Sequence, residues 1–442
     1  MNATDPSPSI PDLFEAAMRA HSAADVDEAR AGYAQLRELV PLNADAWHLA
    51  GVLEGQYGSW PLAESLVRRA IEIDADQAMF HCNLGNIVSR MGRFDDAELA
   101  YRRALELSPH HMESSSNLAL MTSWRGDADE AERQFLALLE RVPYYTPARQ
   151  NIVSLYLRKD DFLSAIRHAA TGLITSPKNI VLRHALGRAY ADHGMPDKAI
   201  EVYRNWLIDD PDHPQPKHHL AALLNEDIPE RASDAYVRNA FEVFARSFDA
   251  KLAELEYRAP TLVGESVVEA LGAPGKSLRI IDAGCGTGLV SPHLLPYAHH
   301  LVGVDLSPEM LERAAERGGY DELVEAELVA FLESRPSTCE LLTSADTLCY
   351  FGRLDQFAAA ARRALTAGGW VVYTVEARDD APGEPDYKLH HHGRYSHRRG
   401  YVEGVLTAAG FVDVTTDAVV LRNENRVPVR GWLARARVPQ EG

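Results

Sequence analysis

Residues 280–290 read IIDAGCGTGLV, with glycines at 284, 286 and 288 straight after Asp282. Glycine has no Cβ and enters backbone conformations closed to other residues, so this spacing lets a ligand lie against the main chain. The dinucleotide fingerprint G-x-G-x-x-G is not met: counted from Gly284 its last place is Leu289, and from Gly286 it is Ser291. LRIIDA before the turn reads as a short buried strand, and LVSPHLLPYA after it begins like a helix. Strand, turn and helix in that order open a nucleotide-binding Rossmann sheet. A second strand, HLVGVDLS, ends in Asp305, 17 residues after Gly288. An acid at that place suits the paired hydroxyls of a ribose.

Further along, KLHHHGRYSHRRGYVEGVLTAAGF (388–411) gathers groups able to move protons or hold anions. His397 and Tyr395 are candidates for a general base or an orienting group, because imidazole titrates near neutrality. Arg394, with Arg398 and Arg399, could anchor a substrate carboxylate. His390, His391 and His392 cannot all face one point on regular backbone, so no metal site is expected.

The elements that position these groups are preceded by a repeat. Alanine recurs every 34 residues at 29, 63, 97, 131, 165 and 199, and proline keeps the same period at 41, 109, 143, 177 and 211. A small or apolar residue recurs at Ala17, Gly51, Gly85, Ala119, Val153 and Gly187, and an aromatic stands four after the alanine at Tyr33, Tyr101, Phe135 and Tyr203. Six units over 10–213 are predicted, each two amphipathic helices around a polar break. Small residues allow the two helices to approach, and the proline ends the second. In the 34-residue frame beginning at Ala78 the sixth place holds Asn83, then Asn117 and Asn151. Three carboxamides in a row could grip an extended peptide backbone, since each both donates and accepts; hydrogen bonding to a neighbouring helix is the other use for them.

This front half resembles the tetratricopeptide repeat, which implies an all-α solenoid with a concave groove. The asparagine row resembles the ladder in the repeats of O-linked N-acetylglucosamine transferases, which implies a peptide or protein as partner. A capping helix is expected over 218–225. The stretch 232–260, with Tyr236, Phe241, Phe244 and Phe248, is expected to form a helical lid.

The back half resembles class I methyltransferases, on DAGCGTG and GVDLS. That resemblance implies a seven-stranded α/β Rossmann-like sheet over about 261–442 and S-adenosylmethionine as cofactor, leaving S-adenosylhomocysteine. It implies that Asp282 orients the amino-acid end of the cofactor against Gly284, Gly286 and Gly288, and that Asp305, with Leu306 beside it, accepts from the ribose. Glu327, next to Leu328, matches the acid that takes a hydrogen bond from the adenine amine. Asp346, Thr347 and Tyr350, in CELLTSADTLCYFGRL, would project toward the transferred methyl. The Asn/Asp-Pro-Pro-aromatic signature is missing, which disfavours methylation of amides or nucleobase amines.

Composition sets outer limits. The 442 residues are 46% hydrophobic and 25% charged, with a net charge of −19. Neither the first 213 residues nor the rest has an excess of basic side chains, so a phosphate-tracking nucleic-acid binder is not expected. No apolar run approaches the ~20 residues of a spanning helix. MNATDPSPSI lacks the pattern of a signal peptide, and Cys82, Cys285, Cys339 and Cys349 show neither metal-ligand nor disulfide spacing, so a cytoplasmic protein is expected. Three functional readings stay open: a methyltransferase for a peptide or protein docked by the repeats, a small-molecule O-methyltransferase whose repeats serve assembly, and a scaffold with a relic cofactor fold.

Overall fold

The computed structural model describes residues 9–242, 249, 252, 255–379, 383–424 and 427–440. The chain divides into two compact units, residues 1–157 with 167–177, and residues 158–166 with 178–442. The division thus falls inside the repeat array rather than at its end near 213.

The repeats are built as the 34-residue period requires. Among the described residues twelve helices pair in sequence: α1 and α2 (Ile10–Ser22, Val26–Leu39), α3 and α4 (Ala44–Gln56, Trp60–Ile73), α5 and α6 (Ala78–Arg90, Phe94–Leu107), α7 and α8 (Met112–Trp124, Ala128–Arg141), α9 and α10 (Thr146–Arg158, Phe162–Thr175), and α11 and α12 (Ile180–Asp192, Pro196–Asp209). The polar break inside each pair turns on a residue with positive φ: Ala24, Gly58, Gly92, Gly126, Asp160 and Gly194, again 34 apart. A left-handed residue just past a helix end caps its last carbonyls, and glycine takes that conformation at least cost. Side-chain caps then start the next helix, as where Asp127 accepts from the Glu130 N–H at 3.1 Å.

The recurring small residue sits beneath the residue four after the alanine. A Cβ on Gly85 would stand 2.5 Å from the Tyr101 ring, one on Gly187 2.4 Å from Tyr203, and one on Gly51 2.6 Å from a Val67 methyl. Tyr101 and Tyr203 are buried, so neither ring can swing away into solvent.

In the second unit α13 (Pro214–Leu224) is the capping helix, longer than the expected 218–225 because Pro214 starts it at a first-turn position. Next, α14 spans Asp234–Glu242. Phe244 and Phe248 of the expected lid lie outside the described residues, as does the stretch 1–8. α15 (Ala259–Leu271) leads into the sheet. The sheet holds β1 (Leu278–Ala283), β2 (Ala298–Asp305), β3 (Glu322–Glu325), β4 (Cys339–Ser344), β5 (Leu365–Arg378), β6 (Tyr387–Leu389), β7 (Tyr395–Arg398), β8 (Val412–Glu424) and β9 (Val427–Arg437). Between these strands lie α16 (Ser291–Leu294), α17 (Pro308–Arg317), α18 (Leu328–Glu333), α19 (Asp355–Ala364) and α20 (Arg399–Ala408).

The order β3-β2-β1-β4-β5 is parallel throughout, and β9 then pairs antiparallel with both β5 and β8. Those seven strands are the expected sheet. The other two, β6 and β7, form a hairpin added at the end of β5, where Glu376–Arg378 pair with Ser396–Arg398. The apolar and polar residues of the hairpin alternate too briefly to announce strands in the sequence. The helix after the glycine turn is also shorter than expected, a single turn opened by Pro292 and closed off before Pro296. β1 and β4 are buried on both faces, as central parallel strands require. One apolar layer packs α15 and α16 against the sheet, and another packs α18, α19 and α20 against its other face.

Gly85→Ala tests the helix contact. Helix propensity alone would favour alanine by about 1 kcal/mol. The clash with Tyr101 should outweigh this and destabilise the protein by about 1–3 kcal/mol in urea unfolding. In a Tyr101→Leu background the same substitution should be neutral or stabilising.

Candidate functional site

The parallel strand order reverses between β1 and β4, and a crevice at the carboxyl ends of such strands is where open α/β sheets bind ligands. A cavity of about 320 Å³ opens there. Its walls come from the turn after β1 (Gly284 to Thr287), the end of β2 (Val304, Asp305, Leu306) and the start of α18 (Glu327, Leu328). The turn after β4 (Ala345, Asp346, Thr347) and Tyr350 complete this side.

The three glycines are required for three different reasons. Gly284 has φ +73°, and a Cβ there would meet the Thr347 side chain at 2.2 Å; Thr347 Oγ1 donates to the Gly284 carbonyl at 3.1 Å. Gly288 is outside the cavity walls, and a Cβ on it would press on the Tyr320 ring at 3.0 Å. Gly286 alone faces open space: no atom lies within 4 Å of where its Cβ would be. It is the place at which a ligand can touch the main chain.

Asp305 closes this end of the site. Its Oδ2 accepts from the Gly286 N–H and its Oδ1 from the Ser307 N–H, both at 2.9 Å. Each oxygen keeps a second acceptor direction. Burial raises its pKa, against which the backbone N–H groups of Ser307 and Gly286 act. Asp282 does not line the cavity. Fully buried, it accepts from Tyr320 Oη at 2.7 Å and Thr343 Oγ1 at 3.2 Å, and burial pushes its carboxyl up to about 6. Asp282 thus ties the base of the turn to the neighbouring elements and stands outside the cavity wall. A clamp that sequence reading missed holds the turn from outside. Asp249 accepts from Thr287 Oγ1 at 2.5 Å and pairs with Arg317, whose Nε donates to the Thr287 carbonyl at 2.8 Å.

Glu327 lines the cavity but is also the N-cap of α18, with Oε1 accepting from Val329 N–H at 3.1 Å and Oε2 from Ala330 N–H at 2.8 Å. Tyr350 lines it too, with its ring 5.5 Å from Phe241 in an edge-on contact. Tyr236, from the same expected lid, instead packs its ring 4.0 Å from His218.

His397 and Tyr395 are corrected. Both are fully buried in β7 and neither lines the cavity. His397 Nε2 bonds the Gly352 carbonyl at 3.1 Å, and burial pulls its pKa down to about 4; Tyr395 Oη donates to the Pro229 carbonyl at 2.8 Å. These side chains brace the hairpin. Arg394 does reach the cavity, yet its donors are turned on carboxylates: Nε to Glu376 at 2.6 Å and Nη2 to Glu424 at 2.7 and 2.9 Å. It belongs to a buried network with Arg422, which pairs with Asp346, Glu376 and Glu424. Arg422, Glu376 and Glu424 were missed. The available signal was a charge inside an otherwise apolar strand, as in WVVYTVEAR and AVVLRNE.

In the first unit each of the three asparagines of the row bonds a residue outside the row. Asn83 Nδ2 donates to His48 Nε2 at 2.7 Å, Asn117 Nδ2 to Asn86 Oδ1 at 2.8 Å, and Asn151 Nδ2 to Ser116 Oγ at 3.3 Å. Asn86 is the hub, accepting also from Tyr101 Oη at 2.9 Å and donating to Glu113 at 2.8 Å. Burial holds His48 near 4, so its ring is neutral and able to accept.

Among the described residues no helix is long and apolar enough to cross a membrane. Residues 281–373 match the family described as methyltransferase domain, and residues 78–111 and 180–223 match two tetratricopeptide-repeat families. Methyltransferase-like protein 27 of Homo sapiens is 43% identical over 97 residues, 22% of this chain and 38% of that protein. A malonyl-[acyl-carrier protein] O-methyltransferase of Erwinia pyrifoliae is 35% identical over 100 residues, 23% of this chain and 36% of that protein. The chain thus spans little more than a third of the length of these relatives. Among solved structures, an O-GlcNAc transferase mutant of Thermobaculum terrenum is 28% identical, covering 33% of this chain and 28% of that one, with a TM-score of 0.30. This chain is a tetratricopeptide-repeat protein that carries a methyltransferase domain.

Proposed function

We propose that the protein is an S-adenosylmethionine-dependent methyltransferase acting on a group of a peptide or protein that the repeats dock. The observation that carries the cofactor reading is the pairing of a bare Gly286 α-carbon with the Asp305 carboxylate at one wall of the cavity. Asp305 is held by two backbone N–H groups with acceptor capacity left over, which suits a pair of ribose hydroxyls. Leu306 and Leu328 supply apolar walls for a flat ring, and Glu327 Oε2 keeps a second acceptor direction for an exocyclic amine, while Oε1 also faces Arg231 at 3.9 Å. The residues present therefore fit the cofactor. When bound, it supplies a methyl group on a positively charged sulfur, open to in-line displacement.

The chain's own residues then have positional work. The Asp249–Thr287–Arg317 clamp and the Asp282–Tyr320 bond fix the turn against which the cofactor lies. Thr347 keeps the turn after β4 against Gly284, so that Asp346 and Tyr350 stand at the cavity beside it. Such preorganisation is what a displacement reaction asks of a protein. Docking of a peptide by the repeats rests on the repeat type. The hydrogen bonds of Asn83, Asn117 and Asn151 assign these residues a structural duty as well.

Asp305→Ala should remove charge-assisted hydrogen bonds worth roughly 1.5–3 kcal/mol each. S-adenosylmethionine binding, followed by calorimetry on a variant shown to be folded by circular dichroism, should weaken at least about tenfold. Unchanged affinity would reject the cofactor assignment.

The triple variant Asn83→Ala, Asn117→Ala, Asn151→Ala should lower stability by roughly 1.5–4 kcal/mol, at about 0.5–1.5 kcal/mol for each net hydrogen bond. If these residues also dock a peptide, acceptor KM should rise while cofactor affinity stays at the wild-type value. An unchanged KM with reduced stability would leave them structural only.

A further inference from the structure

Part of the cavity wall is lined by charge. Asp346, Arg394, Arg422 and Glu424 all reach it, and Glu376 lies behind them, bonded to both arginines. The sum is two guanidinium cations against three carboxylates, one negative charge in excess. Arg422 is engaged at every guanidinium nitrogen: it gives Nη1 to Asp346 at 2.5 Å, Nε to Glu424 at 2.8 Å, and Nη2 to Glu376. Arg394 is bound by Glu376 and Glu424. On the acceptor side one atom is left over. Asp346 Oδ1 is buried and has no hydrogen-bond partner among the described residues, although Asp346 lines the cavity. A buried carboxylate oxygen with nothing to accept from costs free energy that a donor in the cavity would recover.

Asp346 is held in place for this. Its backbone has φ +58°, its N–H donates to Thr374 Oγ1 at 2.8 Å, and its Oδ2 is fixed by Arg422. The same cavity presents the rings of Phe241, Tyr257 and Tyr350, whose faces attract a cation. A carboxylate ligand would meet the excess negative charge, and a neutral hydroxyl would leave that charge unbalanced.

We propose that the methyl acceptor is a basic aliphatic amine, received as its ammonium by Asp346 Oδ1 among the rings of Phe241, Tyr257 and Tyr350. This rests on the methyltransferase reading above. In the reaction the ammonium first gives one proton to Asp346. The freed nitrogen lone pair forms the bond to the methyl carbon as the carbon–sulfur bond breaks, its electron pair passing to the sulfur. The product is the N-methylated ammonium and a neutral thioether, with the proton passing from Asp346 to solvent. Burial raises the Asp346 pKa, which suits it to hold that proton in passing.

The test uses the full chain. Calorimetric titrations with n-butylammonium, 1-butanol and butyrate are run with and without S-adenosylhomocysteine. The ammonium should bind at least tenfold more tightly than either of the others. Asp346→Asn should erase that preference, and its S-adenosylhomocysteine affinity, measured separately, gauges any wider damage. Equal or tighter binding of butyrate or butanol to the wild-type protein overturns the proposal, whatever the fate of the variant. Methyl transfer from labelled S-adenosylmethionine is then compared for n-butylamine, a one-lysine peptide and the same peptide with its amines acetylated. Label in the free-amine peptide and not the acetylated one assigns the amine to a polypeptide; label in butylamine with equal efficiency assigns it to small molecules. Label entering the acetylated peptide or butanol as readily overturns the proposal. Absence of cofactor binding would sink the methyltransferase reading instead, and the titrations without S-adenosylhomocysteine would still decide whether the cavity prefers an ammonium.

Discussion

The arrangement of the sheet domain depends on one buried charge network. Arg422 is 3% exposed and meets Asp346, Glu376 and Glu424. Charges taken out of water are costly unless paired and hydrogen-bonded, and loss of one partner from such a set typically costs about 3–5 kcal/mol. The network therefore fixes whatever carries its members. These are the turn after β4, the end of β5, the residue that opens β7, and β8. Four chain segments far apart in sequence are held at the carboxyl end of the sheet, beside the glycine turn. A hydrophobic cluster of equal volume could hold them as firmly. It could not leave an unpartnered carboxylate oxygen on a residue that lines a cavity.

The hairpin β6–β7 is the addition that makes this network possible. It hangs on the last residues of β5, and its turn delivers Arg394 to Glu376 and Glu424. His397 and Tyr395 lock the strand through carbonyls of Gly352 and Pro229. Their chemistry is ordinary once burial is counted. A histidine whose pKa is pulled to about 4 and which faces a backbone carbonyl is a neutral hydrogen-bond partner, not a base for a substrate.

How much of this was legible in the sequence differs by element, for physical reasons. The 34-residue period was plain because each repeat buries its small residue against its own second helix, as Gly85 does under Tyr101. The positive-φ residues at 24, 58, 92, 126, 160 and 194 keep the same phase. The glycine turn and Asp305 were legible because local backbone geometry demands them. Three kinds of fact were not. The role of Asp282 depends on Tyr320 and Thr343, which arrive from other elements. The asparagine row could be counted, yet its members bond His48, Asn86 and Ser116, none of which stands in the row. The ion network joins residues up to 76 positions apart, and no local pattern encodes which arginine meets which acid. A histidine or tyrosine in a polar stretch draws attention, whereas an arginine at the end of AVVLR does not, although it is the one that reaches the cavity.

The net charge of −19 might be taken as the reason for a cationic acceptor, but it acts at the wrong range. At physiological ionic strength exposed charges are screened beyond about 8 Å, so the acidic surface affects encounter more than choice. Choice between an ammonium, a hydroxyl and a carboxylate must come from groups that meet the acceptor out of water. There the relevant number is the imbalance of three carboxylates against two arginines, not the total over the chain. A cavity with that imbalance discriminates through desolvation. An ammonium gains an acceptor that is otherwise unsatisfied, while a carboxylate would lose its water and meet like charge. The same imbalance works against an anion at Arg422, whose every nitrogen is already engaged by a carboxylate.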